Sequence, residues 1–333
     1  MISVNNRVSA LGQLANYLLS DEITLTEAIN EAEMANGWFT TNFTRKALRS
    51  IAKNYLAEDK LNAWLANYPA VRVRGKTVGI IMAGNIPLAG FHDLLCVLLA
   101  GHNALIKPSS KDSLLLKHII EKLGEYDRHI TADIRFWEAP TTQFDAVIAT
   151  GSTNTGRYFD YYFGKYPHII RKNRNTLAVL TGNESDKTLE KLGNDIFDFY
   201  GLGCRSVSKL FLPQKYAVED VARILNVFET VMQNHKYKNN YDYSLTLLLM
   251  NKIYHIKNNC CLFVEDESLT SRIATLHYQF YHDVAEVEQW IDEHRTAIQC
   301  VIGDGYIPFG QAQQPQLTDY ADGVDTMAFL TAL

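Results

Sequence analysis

Residues 77–107, TVGIIMAGNIPLAGFHDLLCVLLAGHNALIK, decide the fold class of this chain. A short run rich in Val and Ile is followed by a turn with Asn, Pro and Gly, an apolar helical stretch, and a second apolar run ending at Lys107. Strands that alternate with helices in this way are typical of a parallel sheet with helices on its faces. The sequence therefore predicts an α/β protein.

The same alternation continues to the C-terminal part of the chain. The predicted strands are 77–83, 104–107, 134–138, 146–150, 176–180, 207–212 and 298–302, with two more near Leu262 and Thr275. The predicted helices are 88–100, 113–123, 153–163, 187–200, 218–235, 243–253 and 284–294. Residues 7–68 are predicted to be helical because apolar residues recur there at helical spacing.

Composition indicates a globular protein and excludes several kinds of partner. The 333 residues exceed what one hydrophobic core usually fills, so we expect two domains, or one with additions. A formal net charge of -5 provides no positive field for nucleic acid or anionic membranes. The most apolar segment, 78–100, is interrupted by Asn85, Pro87, His92 and Asp93, and is predicted to be buried core rather than a membrane span.

The five cysteines show no CxxC spacing, and a chain of this size does not need disulfides. We therefore expect a reducing compartment, and a cytoplasmic location because residues 1–7 lack the features of a secretory signal. The histidines are scattered without metal-ligand spacing, so no metal is predicted.

Three stretches resemble nucleotide-binding loops. Residues 182–188 have Asp186 where a phosphate loop needs Gly, which favours a helix cap, and residues 201–206 follow a helix and precede a strand, the reverse of a dinucleotide fingerprint. Residues 150–157, TGSTNTGR, follow a strand and open a helix, where backbone N–H groups and the helix dipole favour an anion. A plain Ser/Thr helix cap is the alternative for these residues.

Four short motifs in a fixed order connect this loop with the rest of the chain. They are Asn85-Ile86-Pro87, Lys107-Pro108-Ser109, the Gly151-Ser152-Thr153 loop that ends at Gly156, and Gly203-Cys204-Arg205-Ser206. This succession resembles the aldehyde dehydrogenase superfamily. Residues 84–93, GNIPLAGFHD, and 319–330, DYADGVDTMAFL, are similar to the acyl-CoA reductases of the LuxC family. The resemblance covers roughly residues 76–330.

The resemblance implies an aldehyde-dehydrogenase-like α/β fold. A Rossmann-type parallel-sheet domain would bind the cofactor, a second α/β domain would carry the nucleophile, and a helical part would precede both. The corresponding boundaries are 1–70 for the helical segment, 71–175 for the NADP-binding domain, 176–303 for the catalytic domain, and 304–333 for a tail that packs back on the body. Relatives of this fold commonly form homodimers, so we expect one here.

The resemblance also assigns catalytic roles. Cys204 would be the nucleophile that takes the acyl group, with Arg205 and glycine-lined backbone amides favouring its ionised form. Asn85 and the backbone N–H of Cys204 would donate to the developing oxyanion, and one such donor is worth about 3 kcal/mol. Turn formation before Pro87 is the alternative role for Asn85. Buried inert thiols are predicted for the other cysteines, which are Cys96, Cys260, Cys261 and Cys300.

The implied cofactor is NADP(H), with NAD(H) as the alternative. The cofactor-binding residues would be Lys107, Ser109, Ser110, Gly151, Ser152 and Thr155. NAD-preferring relatives often carry Glu at the position of Ser110, and its absence removes a carboxylate that would repel a 2′-phosphate.

One departure from the superfamily bears on the reaction. Hydrolytic aldehyde dehydrogenases have a Glu-Leu-Gly-Gly segment whose Glu activates water, whereas residues 171–176 here read RKNRNT. Without that base, reduction of an acyl thioester to the aldehyde is favoured over release of an acid. The basic run would contact coenzyme A phosphates or be a solvated surface. Ordinary aldehyde oxidation and a catalytically idle nucleotide-binding subunit are the remaining alternatives.

His92 is a candidate proton shuttle in this reaction. The alternative, which we prefer, is that His92 and Asp93 form a satisfied buried pair on an apolar helix, or a polar face on the surface of that helix.

Overall fold

The computed structural model describes residues 4–69, 75–138 and 143–333. The chain divides into two compact units, which are Met1–Asn173 with Pro315–Leu333, and Arg174–Gln314. Each unit contains a largely parallel sheet with helices, so the predicted α/β class is confirmed. The assignment of four functional segments with boundaries at residues 70, 175 and 303 stays a prediction.

The first unit is built on a five-stranded parallel sheet. Its strands are β1 (Thr77–Ile81), β2 (Asn103–Lys107), β3 (Ile134–Phe136), β4 (Ala146–Thr150) and β5 (His168–Arg171). Their order is β3-β2-β1-β4-β5, which is the order of dinucleotide-binding folds. The direction of strand addition reverses between β1 and β4, and ligands bind at the carboxyl ends of the strands beside such a reversal.

This sheet is buried on both faces, which explains its continuous apolar strands. Val78 pairs with Ala104 on one side and with Ala146 on the other, and all three are at most 1% exposed. Ile80, Ile106 and Ile148 are fully buried in the same core.

Helices cover the sheet of the first unit. They are α1 (Val4–Leu18), α2 (Ile23–Ala35), α3 (Thr41–Asn54), α4 (Glu58–Leu65), α5 (Phe91–Leu99), α6 (Ser113–Tyr126), α7 (Arg128–Ala132), α8 (Thr153–Phe163) and, near the C-terminus, the helix Thr326–Thr331. Leu14, Leu25 and Leu48 from the N-terminal helices join the core that contains β1. Residues 4–69 therefore pack as part of this unit.

The second unit contains a six-stranded sheet. Its strands are β6 (Asn175–Val179), β7 (Val207–Pro213), β8 (Ile256–Lys257), β9 (Leu262–Glu265), β10 (Thr275–Tyr281) and β11 (Ile298–Gly303), in the order β11-β6-β7-β10-β9-β8. All neighbours are parallel except β8 and β9. Its helices are α9 (Asp186–Phe197), α10 (Val218–Leu225), α11 (His235–Met250) and α12 (Val284–Glu293), and the helix Thr326–Thr331 is accordingly α13.

Several element boundaries differ from the sequence prediction for identifiable reasons. The helix predicted from residue 88 begins at Phe91, because Leu88 adopts a left-handed φ of 56°. The helix predicted over 187–200 ends at Phe197, where a 3₁₀ turn, Asp198–Gly201, follows. The predicted helix 218–235 is α10 followed by a 3₁₀ segment, Asn226–Gln233. Strand β5 was not predicted, since its last residue, Arg171, had been assigned to a basic run.

Candidate active site

Three of the predicted motifs lie at the carboxyl edge of the sheet in the first unit. Asn85 follows β1, Lys107 ends β2, and Gly151 follows β4. The strands are parallel, so these three loops leave the sheet at the same edge. The side chains of Asn85 and Lys107 are exposed there.

The loop that carries Asn85 is packed tightly against the loop after β2. A Cβ atom on Gly84 would lie 2.4 Å from the Ser109 hydroxyl oxygen, so only glycine fits there. The backbone N–H of Leu88 donates to the Asp112 carboxylate at 2.6 Å. Asp112 is 7% exposed, and burial raises its pKa to about 7.

The residues after Lys107 form an open turn. Ser109 is partly exposed and its hydroxyl accepts a hydrogen bond from the backbone N–H of Lys111 at 3.3 Å. Ser110 and Lys111 are exposed. No carboxylate follows Ser109 directly, as the sequence indicated.

The loop after β4 is a helix cap. The Ser152 hydroxyl accepts from the backbone N–H of Thr155 at 3.2 Å and lies 2.8 Å from the Thr155 hydroxyl. A Cβ atom on Gly151 would lie 2.9 Å from the ring of Phe159. Ser152 therefore caps α8, and an anion at this helix N-terminus stays a prediction.

Cys204 lies in the second unit, in the loop between the 3₁₀ turn and β7, and it is exposed. Phe199, Tyr200 and Gly201 have positive φ angles of 54°, 59° and 73°, which turn the chain sharply before the cysteine. The Thr176 hydroxyl of β6 donates to the Cys204 carbonyl oxygen at 3.0 Å. This hydrogen bond connects the Cys204 loop to β6 of the second sheet.

A second segment fixes the residues that follow Cys204. The Arg205 Nε donates to the carbonyl of Ala312 at 2.5 Å. The backbone N–H groups of Gly310 and Ala312 in turn donate to the buried Asp195 of α9 at 2.6 and 2.9 Å. These contacts show Arg205 joining two loops, and its expected charge effect on Cys204 stays a prediction.

The other cysteines differ from Cys204 in exposure. Cys96, Cys260 and Cys261 are buried, and burial raises the pKa of each thiol, that of Cys260 to about 12. These three are the inert thiols that were predicted. The prediction was wrong for Cys300, which is partly exposed on β11 and lies 3.1 Å from the Thr176 hydroxyl.

Within the basic run at residues 171–174, Arg171 is buried and is not available to coenzyme A, whereas Lys172 and Asn173 are exposed. For the exposed residues, a contact with coenzyme A phosphates or a solvated surface stays a prediction. Arg171 is 3% exposed, pairs with Asp93 of α5, and donates to the Thr326 hydroxyl at 2.9 Å. Lys172 lies 3.2 Å from Asp160 at the surface. Asp93 is therefore a buried, satisfied residue, and its partner is Arg171.

His92 is held inside the first unit. Its Nε2 lies 3.1 Å from the Leu317 carbonyl and its Nδ1 lies 3.8 Å from the Cys96 sulfur. The rings of Tyr55 and Tyr320 pack against it, with centroids at 4.9 and 5.5 Å. Burial lowers the pKa of His92, and both ring nitrogens have neighbours inside the unit. A role as proton shuttle stays a prediction.

The family model described as "Acyl-CoA reductase (LuxC)" matches residues 2–238, which include Asn85, Lys107, Gly151 and Cys204. The chain belongs to this family. The LuxC family and the fold together make it an oxidoreductase of the aldehyde dehydrogenase type.

Solved structures similar to this LuxC-family chain are aldehyde dehydrogenases. Aldehyde dehydrogenase 21 from Physcomitrella patens, in complex with succinate, has 12% identity and a TM-score of 0.65, covering 91% of this chain and 73% of that one. The NADP-dependent glyceraldehyde-3-phosphate dehydrogenase from Bacillus halodurans, complexed with NADP, has 14% identity and a TM-score of 0.62, covering 94% and 77%. An aldehyde dehydrogenase from Bacillus cereus with NAD+ has 13% identity and a TM-score of 0.61, covering 91% and 72%. The predicted aldehyde-dehydrogenase-like fold is confirmed.

A search of curated protein sequences gave no match. Within residues 4–69, 75–138 and 143–333, no helix has the length and apolar character needed to cross a membrane.

Sequence reasoning did not find three residues that hold the candidate residues in place, each within its own unit. Asp112 binds the turn after Asn85, Thr176 binds Cys204, and Asp195 binds the loop that reaches Arg205. Asp112 follows the Lys-Pro-Ser motif by only a few residues. A polar residue so close to a motif could have been identified from the sequence as a candidate site residue. Thr176 and Asp195 lie in ordinary strand and helix sequence that carries no such signal.

Proposed function

We propose that this LuxC-family member reduces a long-chain fatty acyl-CoA, or another acyl thioester, to the aldehyde with NADPH. The observation that carries the proposal is the exposure of the Cys204 side chain. Of the five cysteines, all within the described residues, Cys204 is exposed, Cys300 is partly exposed and the other three are buried, and Cys204 lies in a glycine-containing loop inside the segment that matches the family. An exposed thiol in such a loop is accessible to a thioester carbonyl.

The reaction begins at the Cys204 sulfur. The thiolate attacks the acyl carbonyl carbon, the carbonyl oxygen becomes an oxyanion, and the C–S bond to coenzyme A breaks. Coenzyme A leaves as its thiol, which takes up one proton. The acyl group then forms a thioester with Cys204. The Asn85 amide donates to the oxyanion in this step, with the Cys204 backbone N–H as the second donor.

Residues at the carboxyl edge of the first sheet fit a dinucleotide. The strand order reverses between β1 and β4, Gly84 leaves no side chain beside Ser109, and Lys107 and Ser110 are exposed. Lys107 and Ser109 would hold the adenosine ribose, Ser110 would leave room for a 2′-phosphate, and Gly151, Ser152 and Thr155 would hold the diphosphate. NADPH, when bound, supplies a hydride to the acyl carbon. The structural relatives solved with NAD+ and NADP support a nicotinamide cofactor.

The chain's own residues then release the product. Cys204 leaves the reduced carbon as its thiolate when the thiohemiacetal collapses, and the aldehyde is set free. The segment 171–176 carries no carboxylate that would activate water, so hydrolysis of the Cys204 thioester is slow. The acyl group is instead reduced by hydride or transferred back to a thiol.

The proposal is tested by product analysis with the purified chain. We expect NADPH-dependent aldehyde formation from acyl-CoAs of graded chain length, loss of this activity in Cys204→Ala, and its retention in Cys300→Ser. Release of carboxylic acid from an aldehyde and NADP+, faster than aldehyde formation from acyl-CoA, would show that the enzyme is an ordinary aldehyde dehydrogenase. Nucleotide binding without turnover in either direction would favour the idle subunit.

A further inference from the structure

Asp112 occupies an unusual place for a carboxylate. It directly precedes α6 but makes no capping hydrogen bond to that helix. Instead its Oδ2 accepts from the backbone N–H of Leu88, 24 residues earlier in the chain, at 2.6 Å. Within the described part of the chain its Oδ1 is buried without a hydrogen-bond partner. A buried carboxylate costs free energy, so its contact with the Leu88 turn calls for a reason beyond helix capping.

The turn that Asp112 holds is conformationally demanding. Leu88 has a φ of 56°, a region that a leucine rarely adopts. This backbone ends the segment Asn85-Ile86-Pro87-Leu88, and the proposed oxyanion donor stands at its start. A strained turn persists only where its surroundings fix it, and a side-chain oxygen of Asp112 supplies the acceptor at that point.

The same residues connect the two loops of the candidate site. Asp112 lies at the end of the turn that contains Ser109 and Ser110, and its backbone N–H donates to the Ser109 carbonyl at 3.0 Å. A Cβ on Gly84 would lie 2.5 Å from the Ser109 Cβ and 3.4 Å from the Asp112 Cβ, so both loops are in direct contact. A shift of one loop would therefore move the other.

We propose that Asp112 is a positioning residue for Asn85. Through its hydrogen bond with the Leu88 amide, Asp112 fixes the oxyanion donor relative to the cofactor loop. This inference rests on the proposed role of Asn85. Asp112 does not touch the acyl carbon in this scheme. It acts by keeping one conformation of the turn, and misplacing a donor by about 1 Å is enough to lower a rate roughly 100-fold.

The proposal distinguishes Asp112→Ala from Asp112→Asn. Alanine removes the acceptor of the Leu88 amide, and we expect the rate of coenzyme A release in a single turnover to fall by about 10- to 100-fold. Asparagine keeps a side-chain oxygen for that amide and should restore the rate to within about threefold of wild type. Asp127→Ala is the matched control, because Asp127 also precedes a helix of the same unit and accepts from the His129 backbone N–H at 2.9 Å. It should leave the rate unchanged.

A double-mutant cycle separates positioning from general destabilisation. If Asp112 acts through Asn85, Asp112→Ala should cost little additional rate in an Asn85→Ala background. Equal losses in both backgrounds would overturn the proposal. All rates are referred to the fraction of folded protein, which is measured by thermal unfolding.

Hydrogen exchange tests the link between Asp112 and the Leu88 turn even if the enzyme has another activity. In Asp112→Ala the amides of Ile86 and of residues 88–91 should exchange at least tenfold faster than in wild type, and in Asp112→Asn near the wild-type rate. Unchanged exchange in Asp112→Ala would overturn the proposal whatever the reaction. If the wild-type protein releases no coenzyme A while exchange responds as expected, the proposed function fails and the link between Asp112 and the turn is retained. In that case Asp112 positions the turn for whatever reaction Asn85 serves.

Discussion

The Thr176 hydroxyl donates a hydrogen bond of 3.0 Å to the carbonyl oxygen of Cys204. Thr176 is fully buried on β6, so it connects the loop of the proposed nucleophile to the buried part of the second sheet. The Cys300 sulfur lies 3.1 Å from the same hydroxyl.

Replacing Thr176 tests the importance of this bond. Thr176→Val keeps the shape of the side chain but removes the donor, so we expect a loss of about 1 to 3 kcal/mol in the free energy of unfolding. The rate of coenzyme A release should fall roughly tenfold, because the Cys204 loop loses a fixed point. Urea unfolding and single-turnover assays measure the two effects. Thr176→Ser should retain both properties, and a valine variant indistinguishable from wild type would show that the bond is unimportant.

Ser110 tests the proposed preference for NADP(H). Ser110→Glu places a carboxylate where a 2′-phosphate would lie, and repulsion at close range should shift the ratio of kcat/KM values toward NADH by about tenfold or more. The neutral Ser110→Gln is the control for size. Steady-state kinetics with both cofactors provide the ratio. If glutamate and glutamine variants behave alike, the adenosine ribose is bound elsewhere.

The absence of a carboxylate at residues 171–176 predicts a long-lived acyl-enzyme. A general base commonly contributes 10² to 10⁴ in rate, so hydrolysis of the Cys204 thioester should be at least about 100-fold slower than transfer to a small thiol. Intact-protein mass spectrometry after removal of excess acyl-CoA follows both decays. Hydrolysis as fast as thiol exchange would mean that another group activates water.

The fold was predictable where apolar patterning is strong and local. β1, β2, β4 and β7 lie within two residues of their predicted bounds, because runs of Val, Ile and Leu in a buried parallel sheet have few alternatives. β5 was missed because its last residue, Arg171, suggested a solvated run. Its charge is satisfied by Asp93, 78 residues earlier, and such a distant pairing leaves no trace in local sequence.

The candidate site was predictable only in part. The ordered motifs pointed to Asn85, Lys107, Gly151 and Cys204, and the structure places the first three at one sheet edge. The helix α11 was predicted to begin eight residues late, because His235 to Asp242 are largely polar and their helical role depends on Tyr237 and Tyr241 packing inside. The contacts of Asp112 and Thr176 depend on the tertiary fold and could not be read from the sequence.

The pH dependence of stability tests the environment of Asp112. Burial raises its pKa in the folded protein to about 7, whereas in the unfolded chain an aspartate titrates near 3.8. The folded state therefore binds the proton more tightly, and this residue lowers stability as the pH rises from about 4 to 7, by a total on the order of 4 kcal/mol. Urea unfolding of wild type and Asp112→Asn at several pH values should show wild type losing stability relative to the variant over this range. A constant difference would indicate an ordinary, solvated carboxylate.

The most direct measurement of the central claim is the mapping of an acyl adduct. Protein incubated with a radiolabelled acyl-CoA in the absence of NADPH should carry one acyl group on the peptide that contains Cys204, and added NADPH should convert it to aldehyde. Cys204→Ala should carry none, and Cys300→Ser should be labelled like wild type. An adduct on another residue, or an adduct on Cys204 that NADPH leaves unchanged, would contradict the account.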